Sequence, residues 1–346
     1  MKRKKFISSA LALTGWGLSD LRAMDSNPIQ LDDDSKIVPQ PLKKGDVIAI
    51  LAPAGNIEEN DILPMVEALK KWGYDVRLGK TIGSRFFTFG GTDEERLQDL
   101  QEMMDNPQIK AIWAARGGYG LVRILDRINL EGIKKNPKWM IGFSDITALH
   151  LHIFKKIKLQ SIHAKMSHGF AKDPSTLDAD QIASLQSIQN MLIGEKNQYK
   201  TVADPANRLG IASGVLIGGN LAVFQALIGS ESDINTDHKI LFLEDMGEYL
   251  YQLDRLFWAL KRAGKLTKLK GLIIGGFSLK KDDIGEEFAL SLKEIVLEKI
   301  KGSQFPVCFG FPVGHQKLNY ALKCGANYRL EVNVDGTSIQ EIDFHP

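Results

Sequence analysis

From Asp46 onward, short apolar runs alternate with segments of helical spacing, and this alternation restricts the chain to a parallel sheet wrapped by helices. DVIAILA (46–52) ends in the turn Pro53-Ala54-Gly55, and 57–72 then carries apolar residues at Ile62, Met65, Leu69 and Trp72. YDVRL follows, then the helical TDEERLQDLQEMM from near Thr92, the run KAIWAA (110–115), the turn GGYG, and a helix expected from about Tyr119 to Ile128. WMIGF (139–143), DITALHLHIFKK and LQSIHA close the series. Such sheets place chemistry where a strand turns into its helix. Gly117 to Gly120 and Ser144 both stand at turns of that kind.

Residues 170–206 are polar apart from a helical patch around Ile182 to Ile193, and read as a connector. A second lobe opens with GIASGVLIGGN (210–220). It continues through KILFLEDMGE, a helix with Leu250, Leu253, Phe257 and Leu260 on one face, GLIIGGF, a helix over 288–300, PVCFGF and YRLEVNV. The expected class is α/β: an N-terminal parallel-sheet lobe (45–169), the connector, and a mixed β/α lobe (207–346).

With 346 residues, 44% hydrophobic and 25% charged, the chain has room for two such lobes without disulfide or metal staples. That composition excludes collagen, disulfide scaffolds and disorder. A net charge of +2, with no basic run beyond residue 5, argues against a nucleic-acid partner. The excess is terminal: Lys2, Arg3, Lys4, Lys5 and Arg22 face one acid, Asp20, within residues 1–23, and the remainder holds 39 basic against 41 acidic residues. KRKK followed by the apolar stretch 6–18 has the form of a secretory signal, too short to span a bilayer, and Arg3-Lys4-x-Phe6-Ile7 loosely resembles a twin-arginine signal. Residues 1–23 are therefore expected to be a signal peptide and 24–44 an extended leader, which places the chain in the periplasm with no membrane span in the mature form. Gly15 and Gly17 interrupt the apolar run and Leu21 takes the outer small-residue position before a cut after Ala23, which makes a cytoplasmic N-terminus the alternative. Cys308 and Cys324 are either a disulfide or two buried thiols.

Ser144, in IGFSD, has the placing of a nucleophile on a strand-to-helix turn, with the next amide pointing into the same space. Position 146 is Ile, so G-x-S-x-G is not met, and a helix N-cap is the ordinary use of such a serine. The loop Arg116-Gly117-Gly118-Tyr119-Gly120 can bring backbone N–H groups close to an anion, or serve only as a glycine turn. A dinucleotide fingerprint fails there, because the sixth position from Gly118 is Arg123. Glu244 and Asp245 read as a carboxylate pair at the end of a strand, or as acids that favour a helix N-terminus. His315 lies in the Gly/Pro-bounded loop FPVGHQ, where histidines are usually solvated. Ser, Glu and His together are the parts of a nucleophile, orienter and base set. His150, His152, His163 and His168 lack metal-ligand spacing, so no metal and no cofactor is expected.

With these residues, the chain resembles the LD-carboxypeptidase (muramoyltetrapeptide carboxypeptidase) family of serine peptidases, which also contains the microcin C immunity peptidases. The likeness runs from about Lys44 to Asn333. It is carried by GDVIAILAPAG, FGGTDEERLQDL, IWAARGGYGLVRILDRI, IGFSDITALH, GVLIGGNLAVFQALIGS, LFLEDMGEYLYQLDRLFWAL and GFPVGHQ. The resemblance implies Ser144 as nucleophile, Glu244 as charge-relay acid, His315 as general base, and an oxyanion hole from the amides of Gly118 and Asp145. It further implies a flavodoxin-like or Rossmann-like N-terminal lobe, a homodimer, and release of the terminal D-alanine from murein tetrapeptide or a muropeptide. A carboxypeptidase must also hold a free carboxylate, and Arg116 is the candidate, with bracing of its own loop as the alternative. Where the family often has His-Gly-Pro, this chain reads His163-Ala164-Lys165, a change that bears on the pocket wall. The competing readings are an exported two-lobe binding protein without catalysis, a nucleotide-dependent enzyme, and a hydrolase of microcin-type peptidyl-nucleotides.

Overall fold

The computed structural model describes residues 36–343; the expected signal peptide and most of the leader lie outside the described residues. The first half runs β1 (Val47–Leu51), α1 (Glu59–Lys71), β2 (Asp75–Leu78), α2 (Asp93–Asp105), β3 (Ile109–Ala114), α3 (Glu131–Lys135), β4 (Trp139–Gly142), α4 (Thr147–Ile157) and β5 (Ser161–His163). The second half runs α5 (Ala179–Leu192), β6 (Gln198–Val202), β7 (Gly210–Asn220), α6 (Leu221–Ala226), β8 (Ile240–Glu248) and α7 (Leu250–Arg262). It ends with β9 (Gly271–Leu279), α8 (Leu292–Lys299), β10 (Val307–Gly314), β11 (Leu322–Cys324), β12 (Asn327–Asn333) and β13 (Gly336–Glu341).

Local sequence explains the boundaries. Thr92 opens α2 with a capping box, its hydroxyl accepting from Glu95 N–H while Glu95 takes the Thr92 N–H at 2.7 Å. Asp178 with Gln181 and Ser291 with Glu294 do the same for α5 and α8. The C-terminal carbonyls of α2 are met by a buried lysine on another segment: Lys138 Nζ donates to Met104 O (2.8 Å) and Asn106 O (2.7 Å).

The first sheet has the order β11-β5-β4-β3-β1-β2; all neighbours are parallel except β11, which pairs antiparallel with β5. Its core order 2-1-3-4-5 is the flavodoxin-like one, and the chain reverses direction across the sheet between β1 and β3, opening a crevice at their carboxyl ends. The second sheet has the order β10-β9-β8-β7-β12-β13-β6, parallel from β10 to β7 and antiparallel from there to β6. The polar stretch 170–206 is thus more than a connector, since it supplies the edge strand β6, in which Tyr199 is buried between exposed Gln198 and Lys200.

The sheets share their core. Ile50, Trp113 and Ile162 of the first pack in one buried cluster with Phe242, Phe311 and Val313 of the second. Leu149 and Ile153 of α4 join another with Leu221 and Phe224 of α6. This continuous apolar contact sets the carboxyl end of β4 against those of β8 and β10. Among the described residues no helix is long and apolar enough to cross a membrane.

Candidate active site

Ser144 follows β4 and stands in the left-handed region at φ +63°. A side chain pays for that backbone conformation, and such strain collects at sharp functional turns. The bland role is absent: the residue before the 3-10 turn Ser144–Ile146 is Phe143, and Ser144 is its first residue with no capping bond. The turn runs directly into α4, so the Asp145 amide lies at a helix entrance.

Against this elbow lies the loop after β3. A Cβ on Gly117 would sit 2.9 Å from Ser144 Cβ and 3.2 Å from its hydroxyl, a distance only glycine tolerates. Gly117 O accepts from Gly55 N–H at 2.8 Å, which ties the loop to the turn after β1. Among the described residues neither the Gly118 nor the Asp145 amide donates a hydrogen bond. Two free N–H groups beside a strained serine can receive a developing negative oxygen.

Glu244 lies inside β8 rather than at its end, at an irregularity in the pairing with β9 between Leu243 and Asp245. It is fully buried. Its Oε2 accepts from His315 Nδ1 at 2.6 Å and from the His315 amide at 3.3 Å, while Oε1 has no partner among the described residues. Gly314, at φ +100°, permits this: a Cβ there would fall 2.4 Å from Glu244 Cβ. Its neighbour Asp245 turns away from the histidine, accepting from Asn220 Nδ2 (2.9 Å) and Ala222 N–H (3.0 Å), so it holds the start of α6.

His315 is not a solvated loop residue. Its side chain is 14% exposed, and its ring packs on Phe143, the residue before Ser144, with centroids 4.8 Å apart. Asn319 pins the loop by accepting from Gly314 N–H at 2.9 Å, and Gln316 Nε2 donates to Phe311 O and Val313 O. The Nδ1–Glu244 bond leaves Nε2 as the free ring nitrogen. Among the described residues the Ser144 hydroxyl is not hydrogen-bonded to it; nucleophile–base bonds commonly tighten only around substrate.

Arg116 is exposed, and its Nη1 donates to Asn56 O at 2.8 Å, so the bracing contact is formed while other guanidinium donors face solvent. The expected helix over 119–128 is instead two 3-10 turns, Leu121–Arg123 and Leu125–Arg127, because tertiary partners take up the backbone at Gly120 and Leu121. Two histidines near the site are buried and neutral. Burial holds the His150 pKa down to about 4, with its Nε2 on Gly142 O. Burial, together with His150 and His315 nearby, holds His163 well below the ordinary range. His163 packs edge-on against Phe143 and Phe242, with neither ring nitrogen partnered among the described residues. Among the described residues no group of three or more His, Cys, Asp or Glu side chains is arranged to hold a metal. An apolar groove of about 290 Å³, lined by Trp72, Phe170, Leu177 and Leu185 among others, touches none of these residues, so the chemistry is assigned from the side-chain cluster.

Arg96 and Asn319 were missed by sequence reasoning. Arg96 shares a helical face with buried Leu100 and Met103, and a charge on an apolar face was the available signal. Nothing in the local pattern of PVGHQKLN singled out Asn319.

The LD-carboxypeptidase N-terminal domain matches residues 48–164 and the LD-carboxypeptidase C-terminal domain matches 213–330. A probable murein peptide carboxypeptidase of Bacillus subtilis is 32% identical over 83% of this chain and 89% of its own length. The crystal structure of muramoyltetrapeptide carboxypeptidase from Oxalobacter formigenes covers 87% of this chain and 100% of its own, with a TM-score of 0.76 at 27% identity. The microcin C7 self-immunity protein MccF of Escherichia coli is 28% identical over 87% of this chain and 95% of its own. MccF in complex with aspartyl sulfamoyl adenosine has a TM-score of 0.78 at 26% identity, covering 88% and 99% of the two chains. Both domain matches fall, in order, on the two sheets that meet at Ser144 and His315, and the chain belongs to the LD-carboxypeptidase family of serine-type peptidases.

Proposed function

We propose that this protein cleaves murein tetrapeptide at the bond between an L-configured centre, such as that of diaminopimelate, and the terminal D-alanine, using Ser144, His315 and Glu244. The observation that carries the reading is the 2.6 Å bond from His315 Nδ1 to the buried Glu244 carboxylate, with the same imidazole packed on the residue before Ser144. His315 Nε2 takes the Ser144 proton as the hydroxyl attacks, and Glu244 holds the tautomer and stabilises the imidazolium. The Gly118 and Asp145 amides bind the tetrahedral oxygen, each contributing on the order of 3 kcal/mol. His315 then returns the proton to the departing D-alanine amine, and a water activated by the same imidazole frees the tripeptide. The solvent-facing donors of Arg116 are offered to the substrate carboxylate, with the Asn56 contact fixing the side chain beside the hole.

Support for the murein substrate comes from the relatives named for it. The MccF likeness makes a peptidyl-nucleotide the second substrate to try. Mass spectrometry on free tetrapeptide, a sugar-linked muropeptide and aspartyl sulfamoyl adenosine separates these. We expect D-alanine from the first two, with free tripeptide from the one and sugar-linked tripeptide from the other; cleavage of the nucleotide analogue alone would reverse the assignment, and no product from any would favour a binding protein. Export and a homodimer belong to the same proposal, and are checked by cell fractionation and sedimentation.

A further inference from the structure

We propose that Arg96 and the Asp145 carboxylate are positioning residues that together set the spacing of the two oxyanion-hole amides; this rests on the hole assigned under Proposed function. Asp145 has two tasks. Its amide is one donor, and its carboxylate reaches the loop carrying the other, accepting from Leu121 N–H at 2.8 Å. One residue thereby links the Gly118 loop to the serine elbow.

Arg96 grips the same loop from the opposite flank. It is fully buried on α2, and its Nη1 donates to Gly120 O (3.0 Å) and Pro53 O (2.7 Å), its Nε to Gly91 O (3.3 Å). Gly120, at φ +150°, makes room, since a Cβ there would lie 2.8 Å from that Nη1. The Gly120–Leu121 step is therefore held at the Gly120 carbonyl by Arg96 and at the Leu121 N–H by Asp145. Three residues before Gly120, the Gly117 carbonyl is fixed by Gly55. Gly118 lies between these anchors, with its own amide left free.

The arrangement is expensive for a purely structural device. The ion-pair partner of Arg96 is Asp93, which is partly exposed and shared with Arg123, and even a well-bonded buried ion pair is commonly no better for stability than fitted apolar side chains. Burial also pushes the Asp145 carboxyl up to about 6, with Arg96 favouring its charged form. What two buried charges supply here is direction: three carbonyls from the loops around the crevice are drawn onto one planar fork.

The test uses Arg96→Lys, Asp145→Asn and Asp145→Leu in the full chain. kcat and KM are measured on murein tetrapeptide, melting temperature on each variant, and affinity for a peptide aldehyde, whose serine adduct carries the oxyanion, against affinity for the product tripeptide. Arg96→Lys keeps the charge but has one nitrogen, which cannot stand at both the Nη1 and the Nε positions of the planar fork, and displaced amides act on the transition state alone. We expect kcat and aldehyde affinity to fall about 10- to 100-fold together, with KM and tripeptide affinity within about twofold. Asp145→Leu should match it, and Asp145→Asn, which keeps an acceptor for one amide, should recover most of the loss. Folded variants with unchanged kcat, or equal losses in aldehyde and tripeptide affinity, overturn the proposal. If Arg96→Lys fails to fold, the two Asp145 variants decide by the same split. A wild-type protein that neither releases alanine nor binds the aldehyde overturns the serine reading itself and this inference with it; wild-type aldehyde binding with indifferent variants overturns the positioning pair alone.

Discussion

Replacing Glu244 with Gln separates a catalytic role from a structural one, because the two predict opposite responses. The carboxylate is fully buried, one oxygen receives both the ring and the backbone N–H of His315, and the other has no partner among the described residues. Glutamine fills the same volume. Its amide either presents NH₂ to Nδ1 and forces the wrong tautomer, or presents oxygen and keeps the tautomer without the charge that stabilises the imidazolium. Loss of the corresponding charge in a well-studied serine peptidase lowers kcat about 10⁴-fold, near 5 kcal/mol of barrier, so a drop of about 10³- to 10⁴-fold is expected here. Folding should move little or improve, since a buried charge with one unpartnered oxygen is lost; the unfolding free energy should stay within about 1 kcal/mol of wild type or rise. Alanine release at saturating tetrapeptide and urea unfolding at the same pH give both quantities. A kcat within about tenfold of wild type, or a stability loss beyond about 2 kcal/mol, would refute the reasoning.

Gly117→Ala should lower kcat by more than about tenfold with little change in melting temperature, because its methyl group would press on Ser144 Cβ at 2.9 Å; unchanged turnover would show that the elbow can shift. His150 makes stability fall in acid: its pKa is held down to about 4 in the fold, so the unfolded chain protonates first as pH drops below about 6.5, with a total loss of about 3 kcal/mol by pH 4. Asp145, raised to about 6, works in the opposite direction, so the comparison is His150→Leu against wild type. Gly142 O keeps its bond from Ala164 N–H in that variant, and its urea midpoint should vary less between about pH 7 and 5; an equal slope would contradict the assignment. Cys308 and Cys324 are free and buried, and burial pushes their thiols up to about 11 and about 12. Both should resist a thiol-specific disulfide reagent until the protein is unfolded, and rapid labelling of the native chain would contradict this.

Much of the first sheet could be read from the chain because each parallel strand is an apolar run closed by a turn signal, and the capping boxes at Thr92 and Ser291 are local chemistry. The segment after Gly120 could not, since its backbone answers to Arg96 and Asp145, distant in sequence, rather than to helical spacing. β6 was hidden by its position at a sheet edge, where only Tyr199 is buried. The site followed the same rule. Ser144 was visible at its strand end, but the strain that distinguishes an elbow from a cap is a backbone angle, and no residue type encodes it. Glu244 and His315 come together only through the packing of β8 beside β10 across β9, a contact 71 residues apart along the chain. Arg96 went unread because a single cation in the acidic, polar run TDEERLQDL looks solvated until the fold buries it.

The central claim is that the Ser144 hydroxyl performs the attack. Purified wild-type protein and Ser144→Ala, matched for melting temperature, should be incubated with murein tetrapeptide and the released D-alanine quantified. The account predicts steady release by the wild type and loss of at least about 10³-fold in the variant. Equal release by both proteins would contradict it.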